Sequence, residues 1–392
     1  MSTRGVVPRV IDPARALRER RVVVCVGSGG VGKTTVAATL ALRAAVEGRK
    51  AIVLTIDPAR RLANALGLAE LGNVETRVAD AHLAAAGLRP RGELWAMMLD
   101  LKRSWDDFIR RTVPGPRGEA ILRNRFYQTL SSALAGSQEY IAMEKLYELH
   151  ADGAWDLVVL DTPPTAHALD FLEAPNRILD FLDNEAARVI LGPALAAGKV
   201  GMRLFNLGSN YVARTLSRFT GGETLQELAN FLVELQGTYD VFKERAAKVK
   251  QLLASDEAAF FLVTSAHAFT IDESIYFHDL LSRERMPIAA VVANRVHKDF
   301  LGELPTPTEA ELADGLLRAG IPDGGAPPLS RRLLQTVAEA RAMAALDARH
   351  LERLGQATRP TPLLRVPRFD TDVYDLSGLW SLSQHLFPGA RT

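Results

Sequence analysis

Residues 27–35 read GSGGVGKTT and directly follow the apolar run Val22–Val26. The pattern G-x-x-x-x-G-K-[ST] between a strand and a helix predicts a loop whose backbone N–H groups surround phosphate oxygens. In such a loop we expect Lys33 to reach the β- and γ-phosphates as a catalytic contact and the Thr34 hydroxyl to bind Mg²⁺. A glycine-rich turn without a ligand is the alternative, and the complete match argues against it. The residues expected to contact the nucleotide here are Gly29, Gly30, Val31, Gly32, Lys33, Thr34 and Thr35.

A carboxylate follows a second buried strand. Leu157–Leu160 is apolar throughout and is followed directly by Asp161. The carboxyl end of a parallel strand faces the crevice in which ligands bind, so we expect Asp161 to lie on the metal side of the phosphates, near Thr34. A solvated aspartate at the end of a strand is the alternative interpretation.

Asp57 is a candidate for activating the attacking water. It follows the apolar segment Ala51–Ile56 and precedes Pro58. The group that activates water must lie near the γ-phosphate and not only near the metal, which favours Asp57 over Asp161 for this role. The competing interpretation is an N-cap for a helix that begins at Pro58, and the two roles can coexist.

The late apolar strand Ile288–Ala293 is followed by Asn294. An amide side chain both donates and accepts hydrogen bonds, as the edge of adenine requires. Guanine-binding loops carry Asn/Thr-Lys-x-Asp, whose acid pairs with guanine. The fourth residue here is His297, which favours adenine and therefore ATP.

The order of apolar and helical segments predicts an α/β fold of the P-loop NTPase type, with a mostly parallel sheet flanked by helices. Strands that are apolar throughout are typical of a sheet buried on both faces. The loop is followed by a predicted helix over Thr34–Val46, with Gly48 at its C-terminal cap. The predicted strands are Val22–Val26, Ala51–Ile56, Leu94–Asp100, Leu157–Leu160, Ala259–Thr264, Ile288–Ala293 and Leu363–Val366.

Two helical segments interrupt this alternation, at residues 101–150 and 176–255. Their apolar stripes at helical spacing predict an inserted α-helical subdomain. The ATPase core would then comprise residues 1–100, 151–175 and 256–392. The Pro- and Gly-rich segment 301–328 predicts a surface loop, followed by a helix over Ser330–Leu354.

The composition narrows the class of protein. The chain has 392 residues, of which 47% are hydrophobic, and a net charge of +1, which gives no reason to expect nucleic acid as a partner. Cys25 is the single cysteine, so no disulfide and no Cys-x-x-Cys metal clip can form within one chain. Residues 1–20 lack the apolar region of a secretory signal, and no stretch reaches the ~18 apolar residues of a membrane span. We expect a cytoplasmic protein, with peripheral attachment to a membrane as the alternative.

These motifs together resemble those of the ArsA family of P-loop ATPases, which includes the arsenite-pump ATPase and the eukaryotic ATPase that targets tail-anchored proteins. The resemblance covers most of the chain and is closest to bacterial ArsA-related ATPases of the actinobacterial type. The segments that carry it are similar to the family's P-loop (Gly29–Thr34), switch I (Thr55–Ala59), switch II (Asp161–His167), a helix start in the helical subdomain (Gly136–Glu139) and the adenine contacts (Val292–Arg295 and Val366–Pro367).

The resemblance implies ATP-driven opening and closing of a dimer, with ATP and Mg²⁺ as cofactors. It further implies that Asp57 orients the attacking water, that Thr34 binds Mg²⁺, and that Asp161 supports the metal through water. Asn294 and Pro367 would contact adenine. The expected partners are a second copy of the chain or a related ATPase, with a membrane protein or a helical client bound by the helical subdomain.

The sequence departs from the family at Ser28, where the family has a lysine that reaches the partner's phosphates. The family's metal-binding and metalloid-binding cysteines are also absent, and methionines number seven. Arg60 and Arg61 are candidates for supplying the missing charge, with solvated surface arginines as the alternative. We predict a Mg²⁺-dependent ATPase that drives transport, targeting or partner remodelling. The alternative is an ATP-binding regulatory or scaffold subunit of a heteromeric ATPase with weak hydrolysis of its own.

Overall fold

A single sheet of eight strands organises the computed structural model, which describes residues 8–56, 61–125, 127–128, 137–162 and 239–388. The strands are β1 (Val22–Val26), β2 (Lys50–Thr55), β3 (Thr76–Arg77), β4 (Glu93–Met98), β5 (Leu157–Asp161), β6 (Ala258–Ser265), β7 (Ile288–Val296) and β8 (Leu363–Pro367). Their order in space is β3-β4-β2-β5-β1-β6-β7-β8. Every pairing of these strands is parallel except β3 with β4, which confirms the predicted α/β fold with a mostly parallel sheet.

Helices connect and cover these strands. The described helices are α1 (Pro13–Glu19), α2 (Lys33–Val46), α3 (Arg61–Ala65), α4 (Asp80–Ala85), α5 (Leu101–Thr112), α6 (Pro116–Arg123), α7 (Ser137–Asp152), α8 (Tyr239–Leu253), α9 (Ala268–Arg283), α10 (Glu309–Arg318), α11 (Ala326–Ala357) and α12 (Leu376–Leu386).

The core lies on both faces of the sheet, which is why the central strands are apolar at every position. In β1, Val22 and Val24 belong to a cluster that also holds Phe108 of α5 and Tyr140 of α7. The alternate residue Val23 belongs to the opposite cluster, with side chains of α2 and α12. The helices of the predicted segment 101–150 therefore share a hydrophobic core with the sheet.

All of the predicted strands are present: β1 has the predicted bounds, and the ends of the others differ by at most three residues. The largest difference is in β7, which continues three residues beyond its predicted end to Val296, and β4 ends two residues before its predicted end at Asp100. The Asp100 carboxylate instead accepts a hydrogen bond from the backbone N–H of Arg103 at 2.9 Å and caps the start of α5. The strand β3 was not predicted, because two residues carry no periodic pattern.

The prediction of a loop over residues 301–328 is wrong in two places, because α10 lies inside this segment and α11 begins within it. Thr308 and Glu311 form a reciprocal capping box that starts α10. Pro327 and Pro328 occupy the first turn of α11, where a helix tolerates proline. The helix predicted over Ser330–Leu354 is therefore longer at both ends.

Of the second predicted helical insert, 176–255, the structure describes only residues from 239 onward, which form α8 and the turn after it. The remainder lies outside the described residues. The division of the chain into an ATPase core and a helical subdomain stays a prediction.

A buried ion pair joins α7 to α8. The side chain of Glu144 is fully buried, and one of its oxygens accepts hydrogen bonds from Nε of Arg245 at 2.7 Å and from its Nη2. Burial raises the pKa of Glu144, although Arg245 opposes the shift. The helix α7 leads to β5 and α8 leads to β6. The ion pair therefore connects the C-terminal parts of the two predicted helical segments, 101–150 and 176–255, close to the sheet.

Removing Arg245 should leave a carboxylate buried without its counter-charge. We expect Arg245→Ala to lower the free energy of unfolding by about 3 kcal/mol, and Glu144→Gln in the same chain to restore part of the loss. A carboxyl with a raised pKa in the folded state destabilises the fold as the pH rises through that pKa. The deficit of Arg245→Ala should therefore shrink as the pH falls toward the usual glutamate value of about 4.3.

Urea unfolding at several pH values measures this effect. Arg283→Ala is the matched control, because Arg283 pairs with Asp279 on the exposed surface of α9. Equal losses in the two arginine variants would show that the buried pair makes no special contribution.

Candidate functional site: a phosphate-binding loop beside a buried carboxylate

The loop between β1 and α2 is built on glycines whose conformations other residues rarely adopt. Gly27 has φ +143°, and a Cβ at this position would lie 2.0 Å from the carbonyl oxygen of Val263 in β6. Gly30 and Gly32 have φ +75° and +94°. These positive φ values turn the chain tightly from the strand into the helix. Gly27 was not among the predicted site residues, although it opens the motif and lies where β6 leaves no room for a side chain.

The first turn of α2 faces this loop. Gly32 is the N-cap residue in a left-handed conformation, and no side chain caps the helix. The N–H groups at the start of a helix have no partner within the helix, and they carry the positive end of its dipole. Lys33, Thr34 and Thr35 occupy these positions, which makes the turn suitable for phosphate.

Lys33 lies against the beginning of the loop. Its side chain is buried, and its ammonium donates hydrogen bonds to the carbonyl oxygens of Gly27 at 2.9 Å and Ser28 at 2.8 Å. The positive charge predicted to contact phosphates is therefore held at the loop by backbone carbonyls.

Asp161 brings together three neighbouring strands at their carboxyl ends. It lies opposite Cys25 of β1 and Thr55 of β2 in the sheet register. One carboxylate oxygen accepts hydrogen bonds from the hydroxyls of Thr34 at 2.6 Å and Thr55 at 2.8 Å. Asp161 is 1% exposed, so the carboxylate is held in a buried, hydroxyl-lined position. Thr34 and Asp161 are close together, as expected. Thr55 belongs to the switch I-like segment, but the sequence analysis assigned it no role at the site.

This group of side chains fits Mg²⁺ by its donor chemistry. A carboxylate and a hydroxyl are hard oxygen ligands, and Mg²⁺ commonly takes one or two carboxylates and completes its shell with phosphate and water oxygens. Within the described residues, no cluster of three or more His, Cys, Asp and Glu side chains could hold a metal ion. One carboxylate and one hydroxyl leave most of the metal's ligand positions to phosphate and water oxygens, so the pair suits a metal bound together with a polyphosphate.

The residue after Asp161 bonds back to β1. Thr162 donates from both its N–H and its hydroxyl to the carbonyl oxygen of Cys25, at 3.3 Å and 2.8 Å. Burial, followed by the nearby Asp161 charge, raises the pKa of the Cys25 thiol well above its usual range. Cys25 is thus a neutral packing residue beside the carboxylate.

Asn294 is buried at the end of β7 and contacts the phosphate loop. Its amide nitrogen donates to the carbonyl oxygen of Val31 at 2.9 Å, and its amide oxygen accepts from the N–H of Arg295 at 3.0 Å. A Cβ at Gly32 would lie 2.3 Å from the same amide nitrogen. Asn294 therefore braces the loop through its amide nitrogen, while its amide oxygen binds the next residue of β7. Its contact with adenine stays a prediction.

The residues near Asn294 lie at the carboxyl-end edge of the sheet, the edge at which Asp161 also lies. Pro367 ends β8 and pairs with Val296 in the register, which places it on the Asn294 side of the sheet. Asp347 of α11 holds His297 in place. Its carboxylate accepts a hydrogen bond from the backbone N–H of His297 at 2.8 Å and lies 2.9 Å from Nδ1 of the imidazole. Arg295 has φ +58°, an uncommon conformation for a residue with a side chain.

Ser28 has a partner within its own chain. Its hydroxyl donates a hydrogen bond to the carboxylate of Glu273, in the second turn of α9. The two residues are separated by 245 positions, so no local spacing in the sequence could have indicated the contact.

The predicted residues Asp57 and Arg60 lie outside the described part of the chain, as does the switch II-like segment after Thr162. Arg61, the other candidate for replacing the missing charge, is exposed at the start of α3. The proposed role of Asp57 stays a prediction. The contact between Thr55 and Asp161 does bring the strand that precedes Asp57 to the metal side of the site.

The fold and this site define a P-loop nucleoside triphosphatase. A family model described as an anion-transporting ATPase, ArsA, matches residues 20–303, and the chain belongs to that family of ATPases. It is 26% identical to ATPase GET3C of Arabidopsis thaliana over 72% of this chain and 68% of that protein. It is 24% identical to ATPase ARSA1 of Chlamydomonas reinhardtii over 74% of this chain and 38% of that protein. With ATPase GET3B of Arabidopsis thaliana, identity is 26% over 71% of this chain and 64% of that protein.

The alignments thus span between about a third and two thirds of these relatives' own lengths. Within the described ranges, no helix is both long enough and apolar enough to cross a membrane.

The close contact at Gly27 predicts a specific defect. Gly27→Ala should introduce a Cβ against the Val263 carbonyl and strain the backbone, at a cost of about 1–3 kcal/mol if the loop stays in place. We expect the loop to shift instead, with ATP binding lost and the rest of the fold retained. Calorimetric titration with Mg·ATP, together with thermal unfolding, separates the two effects. Gly72→Ala is the control, because a Cβ there meets nothing within 4 Å; normal ATP binding by Gly27→Ala would contradict the prediction.

Proposed function

We propose that the protein hydrolyses ATP in a Mg²⁺-dependent reaction. The observation that carries this proposal is the convergence of Lys33 and the Thr34–Asp161 pair on the first turn of α2, at the carboxyl end of the sheet. A positive charge, a helix N-terminus and two hard oxygen ligands are the groups that phosphoryl transfer requires for positioning and charge stabilisation. Membership of an ATPase family supports the same reaction.

Each residue has a distinct task in this proposal. The first-turn N–H groups of α2 and the Lys33 ammonium bind and orient the β- and γ-phosphates. Thr34 would ligate Mg²⁺, and Asp161 would support the metal through water. When bound, Mg²⁺ supplies charge neutralisation at the phosphate oxygens. Asp57 orients the attacking water and accepts its proton, as the sequence predicts.

We further propose that the base is adenine. Asn294 and Pro367 lie at the adjoining ends of β7 and β8, and the fourth residue of the Asn294 segment is His297 in place of the acid that pairs with guanine. Because Asn294 also braces Val31, base recognition and loop geometry depend on the same amide.

Hydrolysis would drive a cycle of dimer opening and closing that serves transport, targeting or partner remodelling. The relatives named as GET3 and ARSA1 ATPases support this class of role. The helices of 101–150 and 176–255 would form the client-binding subdomain, and the partner would be a second copy or a related ATPase. The ion pair between Glu144 and Arg245 joins the two helices that precede β5 and β6, so a movement of these helices would be transmitted to those strands.

A regulatory or scaffold subunit with weak hydrolysis is the second candidate, and Ser28 favours it. The serine hydroxyl binds Glu273 of its own chain, so this position provides no cation for a partner's phosphates. Single-turnover hydrolysis by the purified protein separates the candidates, because a scaffold would bind ATP tightly but leave it intact.

Removal of the loop lysine is the direct test of the phosphate site. Lys33→Ala should abolish steady-state ATP hydrolysis without unfolding the protein, because the ammonium that contacts the transferred phosphoryl group is lost. Lys248→Ala, which removes an exposed lysine of α8, is the control. Hydrolysis at the wild-type rate by Lys33→Ala would exclude this loop as the catalytic phosphate site.

The role of Asp57 has a different signature. Asp57→Asn should lower kcat by roughly 10²-fold or more and change the ATP affinity only several-fold, because the group acts on water and not on the bound phosphates. Titration calorimetry and steady-state kinetics measure the two quantities. A large loss of affinity with an unchanged rate constant would assign Asp57 to nucleotide or metal binding instead.

A further inference from the structure

We propose that Glu273 sets the affinity of the loop for polyphosphate by placing a negative charge beside it. This inference rests on the proposed function in one respect, namely that the loop binds the phosphates of ATP. The observation is the hydrogen bond from the Ser28 hydroxyl to the Glu273 carboxylate, which holds an anionic group at the second residue of the phosphate-binding loop.

The carboxylate is held there by a well-anchored helix. Ile271 and Phe277 of α9 are buried in the core. Asp272, next to Glu273, forms an ion pair with Arg353 of α11. The backbone that carries Glu273 is therefore fixed relative to the sheet, and Ser28 fixes the end of the side chain.

Ser28 lies between opposite charges. Its carbonyl oxygen accepts a hydrogen bond from the Lys33 ammonium at 2.8 Å, while its hydroxyl donates to Glu273. The carboxylate therefore offsets part of the positive potential that Lys33 and the helix N-terminus present to phosphate. Glu273 is half-buried, so solvent screens this effect less than it would on an exposed surface.

The effect should fall on binding and not on the chemical step. Glu273 contacts the beginning of the loop, whereas Thr34 and Asp161 lie at its other end, on the metal side. A standing negative charge that repels the phosphates equally before and during the reaction changes KM and leaves kcat nearly constant.

The test compares variants that separate charge from hydrogen bonding. Glu273→Gln removes the charge, yet its amide oxygen can still accept the Ser28 hydroxyl. We expect this variant to bind ATP and inorganic tripolyphosphate about fivefold more tightly, with an ATP KM lowered to match and kcat within about twofold of wild type. The gain should diminish at high ionic strength, because salt screens the charge.

Two further variants complete the experiment. Asp279→Asn removes an exposed carboxylate from the same helix and should leave tripolyphosphate affinity unchanged. Ser28→Ala releases the carboxylate without removing it and should give a smaller gain than Glu273→Gln. Unchanged or weaker tripolyphosphate binding by Glu273→Gln would overturn the proposal.

Tripolyphosphate also distinguishes this proposal from the assignment of ATP hydrolysis. A wild-type protein that binds tripolyphosphate but does not hydrolyse ATP would refute the proposed reaction, and tighter binding by Glu273→Gln would still support the role of Glu273. If ATP hydrolysis depends on Lys33 but tripolyphosphate affinity does not change in Glu273→Gln, the proposed reaction would be supported and the proposed role of Glu273 would be refuted.

Discussion

The site depends on the position of one buried carboxylate. Asp161 ends β5 between β1 and β2, so the parallel register alone brings it opposite Cys25 and Thr55. Its hydrogen bonds to the hydroxyls of Thr34 and Thr55 then connect the first turn of α2 to the strand that precedes Asp57. A buried carboxylate is costly unless such donors surround it, which makes the arrangement a strong constraint on all three strand ends.

A second set of contacts, independent of Asp161, holds the phosphate-binding loop in its tight conformation. Gly27 fits against the Val263 carbonyl, Asn294 braces Val31, and Glu273 binds Ser28. The loop is therefore fixed from β6, from β7 and from α9, in addition to its own helix. Because the loop is fixed, the first-turn N–H groups of α2 are already in position, and such preorganised donors stabilise phosphate charge without reorganisation during the reaction. The Lys33 ammonium adds a positive charge to this loop, where it donates to the carbonyl oxygens of Gly27 and Ser28.

Sequence patterns predicted the elements whose signals are local. The apolar runs gave the strands, and the glycine spacing gave the loop and the start of α2, because each depends on neighbouring residues. The helix α10 was missed because proline and glycine around it obscured the capping pair Thr308 and Glu311. The contacts of Ser28 with Glu273 and of Asn294 with Val31 join distant segments, and only the folded chain reveals them.

A crystal structure with Mg²⁺ and a non-hydrolysable ATP analogue tests the central claim most directly. The account predicts that the Lys33 ammonium leaves the Gly27 and Ser28 carbonyls for the β- and γ-phosphate oxygens. It also predicts that the Thr34 hydroxyl leaves Asp161 to ligate Mg²⁺, with Asp161 remaining on the metal side. An analogue bound elsewhere, with Lys33 and Thr34 keeping their present hydrogen bonds, would contradict the account.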